Sequence, residues 1–288
     1  SSIIIDTAYK VYTAAATRCD KTISFHCLPY VERDRRQEEK NPGNLLYEAS
    51  VRAGSENLRK STMVVELYNA PGSPPCTFVR VVAKKLGVEL KLNNFNLMAK
   101  EHLNPEFVKL NPVHTVPTIN DNGFVLWESR AIGMYLVDKY APESTLYPKD
   151  LQKRATVNRL LFFESGTLLS AQMAYFRPKW FKGQEPTSDL KEAYDKALGA
   201  AVTLLGDKKF LCGDNVTLAD IGLACTLGVV IEGAEYDGLE KFPQLKEYYQ
   251  RFKKALPEYE QVAAEALKLI RDMVTRARSG QNPHGPPK

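Results

Sequence analysis

The residues with the clearest capacity for chemistry lie in the run Pro71 to Cys76, Pro-Gly-Ser-Pro-Pro-Cys, between a predicted strand and a predicted helix. Disulfide oxidoreductases carry Cys-x-x-Cys at such a helix N-terminus, where the helix dipole favours a thiolate. Ser73 replaces the first cysteine here, so exchange through an internal dithiol is lost, and Cys76 is expected to be a packed helix residue. The Ser73 hydroxyl can instead donate a hydrogen bond to the thiolate of another molecule, or it can simply cap the helix, which is the commoner role at that position.

A second candidate is the run Asn111 to Thr118, in which Pro117 enters just before a predicted strand. Proline is confined to the starts and edges of strands, and a cis Val116–Pro117 bond would turn the Val116 amide and carbonyl outward to pair with a peptide-like ligand. The alternative is an ordinary loop proline. His102 and His114 are, by residue type, more often loop histidines than ligand contacts.

The third candidate is Glu128-Ser129-Arg130, where a carboxylate, a hydroxyl and a guanidinium meet at another predicted helix N-terminus. We expect Ser129 to cap this helix. Such an end binds a carboxylate through its amides, the hydroxyl and the dipole, while Glu128 can hold an ammonium beside it. The cluster therefore suits the head group of an α-amino acid, although a helix cap with a surface ion pair is the simpler interpretation.

The hydrophobic pattern indicates the elements that position these groups. The first part of the chain predicts the order βαβαββα, an α/β arrangement with a hairpin at Asn122-Gly123. Its elements are strands over Val64–Tyr68, Glu89–Asn94, Thr118–Asp121 and Phe124–Leu126 and helices over Pro75–Leu86, from Pro105, and from Ser129 to Tyr140. Residues 151–270 predict successive helices, and Thr217 to Asp220 fits a capping box before a nearly all-apolar helix.

Four regions are expected along the chain. Residues 1–62 show no sustained period and predict a leader that is disordered or not native, with Met63 as a natural start. Residues 63–142 form the α/β domain, 149–270 the helical domain, and 271–288 a flexible basic tail.

Composition narrows the function classes. The net charge of +5 comes from the ends, with +2 over residues 1–62, 0 over 63–270 and +3 over 271–288, which argues against a nucleic-acid partner. Five cysteines without Cys-x-x-Cys favour free thiols in a reducing compartment. The longest apolar stretch is about half the roughly 20 residues that span a bilayer. The first residues do not resemble a secretory signal. These features predict a cytoplasmic protein without a membrane partner.

Several runs, taken together, resemble the insect cytosolic glutathione S-transferases, closest to the delta class with the epsilon class as neighbour. They are PGSPPC at 71–76, EHLNPEF at 101–107, NPVHTVPT at 111–118, DNGFVLWESRAI at 121–132 and TLADI at 217–221. The resemblance covers about residues 63–270. It implies a thioredoxin-like N-terminal domain followed by an all-α C-terminal domain, with glutathione as co-substrate, no metal, and a homodimer.

The resemblance also implies residue roles. Ser73 would be the catalytic hydroxyl that stabilises the glutathione thiolate for attack on a hydrophobic electrophile. The reaction would serve the detoxification of compounds such as insecticides or lipid peroxidation products. Glutathione peroxidase or dehydrochlorinase activity would be an accessory activity. The glutathione contacts would be His102 and His114 at the glycyl end, Val116 beside cis-Pro117 at the cysteinyl backbone, and Glu128, Ser129 and Arg130 at the γ-glutamyl end. Pro75, Tyr175, Phe176 and Phe181 would line the electrophile pocket.

Three departures from the family pattern leave alternatives open. The chain has a sparser tyrosine run near Tyr175, has Leu160 where arginine is common, and has Glu164 where an aspartate is usual, which implies a changed contact toward the partner subunit. A non-catalytic carrier or binding module with the same fold is the main competing hypothesis. A glutaredoxin-like reductase is disfavoured by Ser73 in place of cysteine.

Overall fold

The computed structural model describes residues 64–234, 236–279 and 281, without the side chains of Phe181 and Lys182. The predicted leader, Met63 and the last seven residues of the predicted tail lie outside this part of the chain.

A mixed sheet of four strands forms the first half of the described chain. The strands are β1 (Val65–Asn69), β2 (Leu90–Asn94), β3 (Thr118–Asp121) and β4 (Phe124–Trp127), in the order β2-β1-β3-β4. β1 runs parallel to β2 and antiparallel to β3, which pairs with β4 through the Asn122-Gly123 turn. Alternate residues of β1 are buried, because successive side chains of a strand point to opposite faces of the sheet.

Three helices pack with the sheet: α1 (Pro74–Leu86), α2 (Pro105–Leu110) and α3 (Ser129–Tyr140). A single turn of 3₁₀ helix, Glu101–Leu103, precedes α2. Pro74 and Pro75 open α1, where the missing amides would have no partner inside the helix, and Gly87 ends it with φ 69°. The predicted order βαβαββα is confirmed, with boundaries close to those expected.

Asp121 ties the β3–β4 hairpin to α3. Its buried carboxylate accepts hydrogen bonds from the Tyr135 hydroxyl at 2.8 Å, the Tyr140 hydroxyl at 2.7 Å and the Lys139 ammonium at 2.7 Å. Burial opposes the charged form, but these donors outweigh it and lower the pKa of Asp121. The hairpin is thereby held against the helix that begins at the Glu128 cluster.

Six helices make up the rest of the described chain. They are α4 (Leu151–Phe163), α5 (Ser170–Lys182), α6 (Ser188–Leu205), α7 (Leu218–Gly228), α8 (Pro243–Ala255) and α9 (Glu258–Arg278). A π-helical segment, Glu164–Leu169, joins α4 to α5, and a second one, Val229–Gly233, extends α7. A 3₁₀ turn, Asp237–Lys241, leads to α8.

Helix α7 is the centre of the helical part, since every one of its residues is buried. The predicted capping box is present at its start. The Asp220 carboxylate accepts hydrogen bonds from the amide and the hydroxyl of Thr217, from the Leu211 amide and from the Tyr248 hydroxyl, each at 2.8 Å. Because four donors converge on one buried carboxylate, the cap joins α7 to the preceding loop and to α8.

Helix α1 connects the sheet to the helical part, because it packs against α3, α7 and α9. Phe78 of α1 lies so close to Gly133 of α3 that a Cβ there would sit 2.6 Å from the ring. The Lys85 ammonium of α1 pairs with the Glu258 carboxylate of α9 at 3.1 Å. Helix α1 is therefore held by α3 on one side and by the helical part on the other.

The C-terminal helix corrects one boundary. We expected a flexible tail from residue 271, but α9 continues to Arg278, so residues 271–278 are helical. Ile270 and Val274 are buried one turn apart, and this continuing apolar stripe stabilises the helix through its basic end.

Candidate active site

Ser73 is the N-cap of α1. Its extended backbone, with φ −76° and ψ 120°, lets its hydroxyl oxygen accept the Cys76 amide at 3.4 Å. The side chain is half-buried. Because the oxygen already accepts a hydrogen bond, the hydroxyl hydrogen can be donated to a group outside the helix. The structure therefore confirms the cap role of Ser73, while its donor role toward a bound thiolate stays a prediction.

Cys76 is a packed residue, as expected, and only 1% of it is exposed. Its sulfur accepts the Ala70 amide at 3.4 Å. Burial raises the pKa of the Cys76 thiol, and the hydrogen bond with Ser73 acts in the opposite direction. Cys76 therefore matches the packed helix residue that the sequence predicts.

The Val116–Pro117 peptide bond is cis, as predicted. Buried Asn111 organises the loop before it, since its amide donates to the Thr115 carbonyl at 3.0 Å and to the Thr118 hydroxyl at 2.9 Å. Val116 is half-buried and Pro117 is buried at the start of β3. Asn111 has a positioning role that we did not predict; an asparagine directly before a proline was the available signal.

His102 and His114 are twelve residues apart in sequence, but their ring centroids lie 6.0 Å apart. His114 is exposed and has φ 47°, while His102 is half-buried and its Nδ1 has no hydrogen-bond partner among the described residues. The fold therefore brings together the two histidines that the resemblance implies at the glycyl end.

The Glu128 cluster differs in one respect from the prediction. Ser129 is the first residue of α3 and not its cap; Glu128 holds the N-cap position, without a side-chain cap bond and with φ 69°. That backbone region is strained for a residue with a Cβ, and such strain concentrates at functional sites. Glu128 is exposed, Ser129 half-buried and Arg130 buried.

Arg130 is held inside the protein by three groups. Its guanidinium donates to the Glu164 carboxylate through Nε at 2.8 Å and through Nη2, donates to the Ser129 hydroxyl through Nη1 at 3.0 Å, and lies 4.5 Å from the centre of the Phe78 ring. The Thr226 hydroxyl donates to the other oxygen of Glu164. The surface ion pair considered from the sequence is therefore wrong.

Glu164 also corrects an expectation, because it is 1% exposed and binds Arg130 of its own chain rather than reaching outward to a partner. It opens the first π-helical segment, and such segments are frequent at functional sites. A Cβ on Gly222 of α7 would lie 3.2 Å from a Glu164 oxygen, so this glycine makes room for the longer carboxylate.

The four residues predicted for the electrophile pocket lie in two places. Pro75 is half-buried in the first turn of α1, beside Ser73. Tyr175 and Phe176 belong to an aromatic cluster of the helical part, whose other members are Trp180, Tyr194 and Tyr236. Phe181 lies at the end of α5, and its side chain is outside the described part of the structure.

Sequence reasoning missed Tyr194 and Tyr236, which lie 5.7 Å and 5.3 Å from the Tyr175 ring. Tyr236 donates its hydroxyl to the Asp195 carboxylate at 3.0 Å. Burial and this carboxylate raise the pKa of Tyr236, so the phenol stays protonated. The cluster is mostly buried, since Phe176, Trp180 and Tyr194 are 5%, 7% and 0% exposed, and only Tyr175 and Tyr236 are half-buried.

A cavity of about 450 Å³ borders the loop that leads to Ser73. It is lined by Ala70, Pro71, Leu97 and Met98 among others, and Met98 is 52% exposed. Leu97 and Met98 were not among the predicted site residues, since a loop leucine and methionine carry no motif.

No group of three or more metal-binding side chains lies together in the described part of the chain. None of its helices combines the length and the apolar character that a bilayer crossing needs.

Comparisons with known proteins define the class. Residues 63–138 match the family described as Glutathione S-transferase, N-terminal domain, and residues 166–255 match Glutathione S-transferase, C-terminal domain. The chain belongs to the glutathione S-transferase family, whose members are enzymes that use glutathione as co-substrate.

Individual relatives place it more closely. It is 42% identical to Glutathione S-transferase D7 of Drosophila melanogaster over 68% of this chain and 88% of that protein. A delta-class glutathione transferase of Nilaparvata lugens aligns with 40% identity and a TM-score of 0.70, over 74% of this chain and 99% of that one. An epsilon-class enzyme of the housefly, Musca domestica, is 33% identical, with a TM-score of 0.68 over 74% and 98%. These relatives support the predicted delta class.

Proposed function

We propose that this transferase activates glutathione through Ser73, which donates its hydroxyl hydrogen to the glutathione thiolate. The observation that carries the proposal is the geometry of the cap: the oxygen of Ser73 accepts a helix amide, and its hydrogen is left for the ligand. The thiolate would then lie at the N-terminal end of α1, where the helix dipole also favours negative charge.

The two effects have the right size. A hydrogen bond to a charged group contributes about 1.5–3 kcal/mol, and a helix N-terminus about 0.3–1 kcal/mol. Since one pKa unit corresponds to about 1.4 kcal/mol, together they lower the pKa of a bound thiol by roughly 1–3 units. A thiol near 8.5 then becomes substantially ionised at neutral pH.

The other predicted residues supply a binding frame for the tripeptide. We propose that His102 and His114 bind its glycyl carboxylate, that the backbone of Val116 beside Pro117 pairs with its cysteinyl unit, and that Glu128, Ser129 and Arg130 bind its γ-glutamyl end. The last assignment is supported by the hydrogen bond from Arg130 to Ser129, which orients the Ser129 hydroxyl at the start of α3.

We propose a hydrophobic electrophile as the second substrate. Pro75, Tyr175, Phe176 and Phe181 are the proposed lining, and Tyr236 joins them through its ring contacts. Insecticides and lipid peroxidation products are the compounds to test, because both classes are electrophilic and largely apolar. The three described cysteines Cys76, Cys212 and Cys225 are free thiols, which supports a reducing location such as the cytoplasm.

We also propose a two-fold homodimer. Phe124 on β4 and Phe162 on α4 are 49% and 68% exposed, and phenylalanine is enriched at protein–protein interfaces relative to the rest of the surface. Size-exclusion chromatography with light scattering should give twice the chain mass, and Phe162→Glu should shift it toward the monomer. A monomeric parent protein would contradict the proposal.

The direct test of the catalytic role is Ser73→Ala. Losing about 1.5–3 kcal/mol of thiolate stabilisation lowers kcat/KM for 1-chloro-2,4-dinitrobenzene roughly 10- to 160-fold. The thiol pKa of bound glutathione, followed by thiolate absorbance, should rise, so the activity profile should shift to higher pH. Glutathione affinity, measured by calorimetry, should change little.

Asp150→Ala is the matched control, because Asp150 caps α4 by accepting the Lys153 amide at 2.9 Å. Both variants lose a helix cap worth about 1 kcal/mol, but only Ser73→Ala should lose activity. Equal rates and an unchanged thiol pKa in Ser73→Ala would refute the role. A parent protein that binds glutathione but conjugates no member of an electrophile panel would indicate the binding module instead.

A further inference from the structure

The second half of α9, residues 266–278, contacts both the end of the extended helix α7 and the Ser73 loop. We propose that Arg271 and Arg278 are positioning residues for the electrophile site: they fix α9 to the segment Val229–Gly233 and so place Leu269 and Tyr236 against the substrate. This inference rests on the proposed function, since it concerns the second substrate of the same reaction.

The two arginines bind backbone carbonyls at the end of the extended helix α7. The Arg271 guanidinium donates to the Glu232 carbonyl at 3.1 Å, and the Arg278 guanidinium donates to the Ala234 carbonyl at 3.2 Å. The last carbonyls of a helix lack partners within it, and cationic donors are favourable at that end. Arg271 and Arg278 are seven residues apart, which puts them on one face of α9.

Close packing brings the same face of α9 onto the segment. A Cβ on Gly233 would lie 2.8 Å from Cγ2 of Ile270, so the contact requires a glycine. Lys253 of α8 binds the Glu232 carboxylate at 2.6 Å and holds the segment from another side. The two arginine contacts therefore act on a segment that is already tightly packed.

The segment leads directly to Tyr236. The Tyr236 amide donates to the Val230 carbonyl at 2.9 Å, inside the stretch that the arginines hold. The Tyr236 ring lies 5.3 Å from the Tyr175 ring and 5.6 Å from the Phe176 ring, centre to centre. A shift of the segment would consequently move a wall of the proposed electrophile pocket.

On its other side α9 approaches the Ser73 loop. A Cβ on Gly72 would lie 3.9 Å from Cβ of Leu269 and 3.9 Å from the carbonyl oxygen of Ala266. Leu269 is nevertheless 41% exposed. An exposed leucine beside the residue that precedes Ser73 is placed to contact the apolar part of an electrophile, and Arg271 anchors α9 just two residues further on.

The test compares the double variant Arg271→Gln/Arg278→Gln with Lys268→Gln. Lys268 is on α9, is 69% exposed and pairs only with Asp272 in the described structure, so its loss should leave all constants unchanged. In the double variant we expect KM for 1-chloro-2,4-dinitrobenzene to rise about 3- to 10-fold, a factor of ten being 1.4 kcal/mol. KM for glutathione and the pKa of its bound thiol should stay at the parent values.

A second readout does not require turnover. S-Hexylglutathione should bind the parent protein more tightly than glutathione does, and the double variant and Leu269→Ala should each lose most of that difference in calorimetry. If the double variant does not fold, Arg278→Gln and Leu269→Ala carry the test.

The outcomes separate the two proposals. A parent protein without conjugation activity contradicts the proposed function. The role of the arginines is then still tested by the difference in affinity between S-hexylglutathione and glutathione. The inference is overturned if the parent is active and the double variant keeps both KM values and the full affinity difference between S-hexylglutathione and glutathione. It is also overturned if the double variant loses equal affinity for glutathione and for S-hexylglutathione.

Discussion

Glu164→Gln removes a negative charge from the interior while almost keeping the shape of the side chain. Glu164 and Arg130 have side chains that are 1% and 7% exposed, so neither charge can be compensated by water. Removing one partner of a buried ion pair typically costs about 3–5 kcal/mol. We expect about 3 kcal/mol here, because Arg130 keeps the Ser129 hydroxyl and the Phe78 ring.

Denaturant unfolding followed by circular dichroism measures this loss as a lower midpoint at an unchanged slope. For a folded unit of this size it corresponds to roughly 6–12 °C in Tm. Glutathione affinity should fall as well, since an unpaired Arg130 no longer holds the Ser129 hydroxyl in one orientation.

Asp138→Asn is the matched control. Asp138 binds Arg154 through two hydrogen bonds, at 2.8 Å and 3.3 Å, but the side chains are 47% and 26% exposed. An exposed pair of this kind contributes about 0–1 kcal/mol, and glutathione affinity should not change. If Glu164→Gln proved no more destabilising than Asp138→Asn, our account of the buried pair would be refuted.

Three further predictions concern stability. Asp121→Asn should lower Tm at pH 7, because burial is outweighed by the hydrogen bonds from Lys139 and two tyrosines, which lower the pKa of the Asp121 carboxyl. The ionised carboxylate therefore stabilises the fold above the unfolded pKa near 3.9, and this stabilisation fades as pH falls below that value. In a series of Tm measurements down to pH 3, the parent and the variant should converge. Gly133→Ala puts a Cβ 2.6 Å from the Phe78 ring and should cost about 1–3 kcal/mol in denaturant unfolding; unchanged stability would show that the ring can move. Asp220→Ala leaves four donors without their shared acceptor, at about 1–3 kcal/mol each, so purified yield and Tm should both fall sharply, and near-parent values would contradict the cap's role.

Most secondary structure follows from local patterns. The alternation in β1, the Asn122-Gly123 turn and the proline start of α1 each depend on neighbouring residues, and the structure has all three where expected. The capping box of α7 is likewise a four-residue signal. Local steric and hydrogen-bonding preferences of this kind act over a few residues, so the sequence displays them directly.

Two predictions from local sequence patterns were wrong, namely the cap of α3 and the start of the C-terminal tail. Serine favours a cap position, but α3 starts at Ser129 because Glu128 adopts φ 69°. The basic composition after residue 270 predicted a tail, whereas the buried stripe of α9 continues to Val274. In α9 the packing of Ile270 against Gly233 and the burial of Val274 outweighed the local preference.

The sequence by itself determined the order of strands and helices, the serine in place of a redox cysteine at the start of α1, and the three short runs from which the site was predicted. Only the tertiary structure paired Arg130 with Glu164, brought His102 to His114, and set Arg271 and Arg278 on the end of α7. These contacts join residues 12 to 44 positions apart. Their existence depends on how helices pack, and no local spacing in the chain encodes that packing.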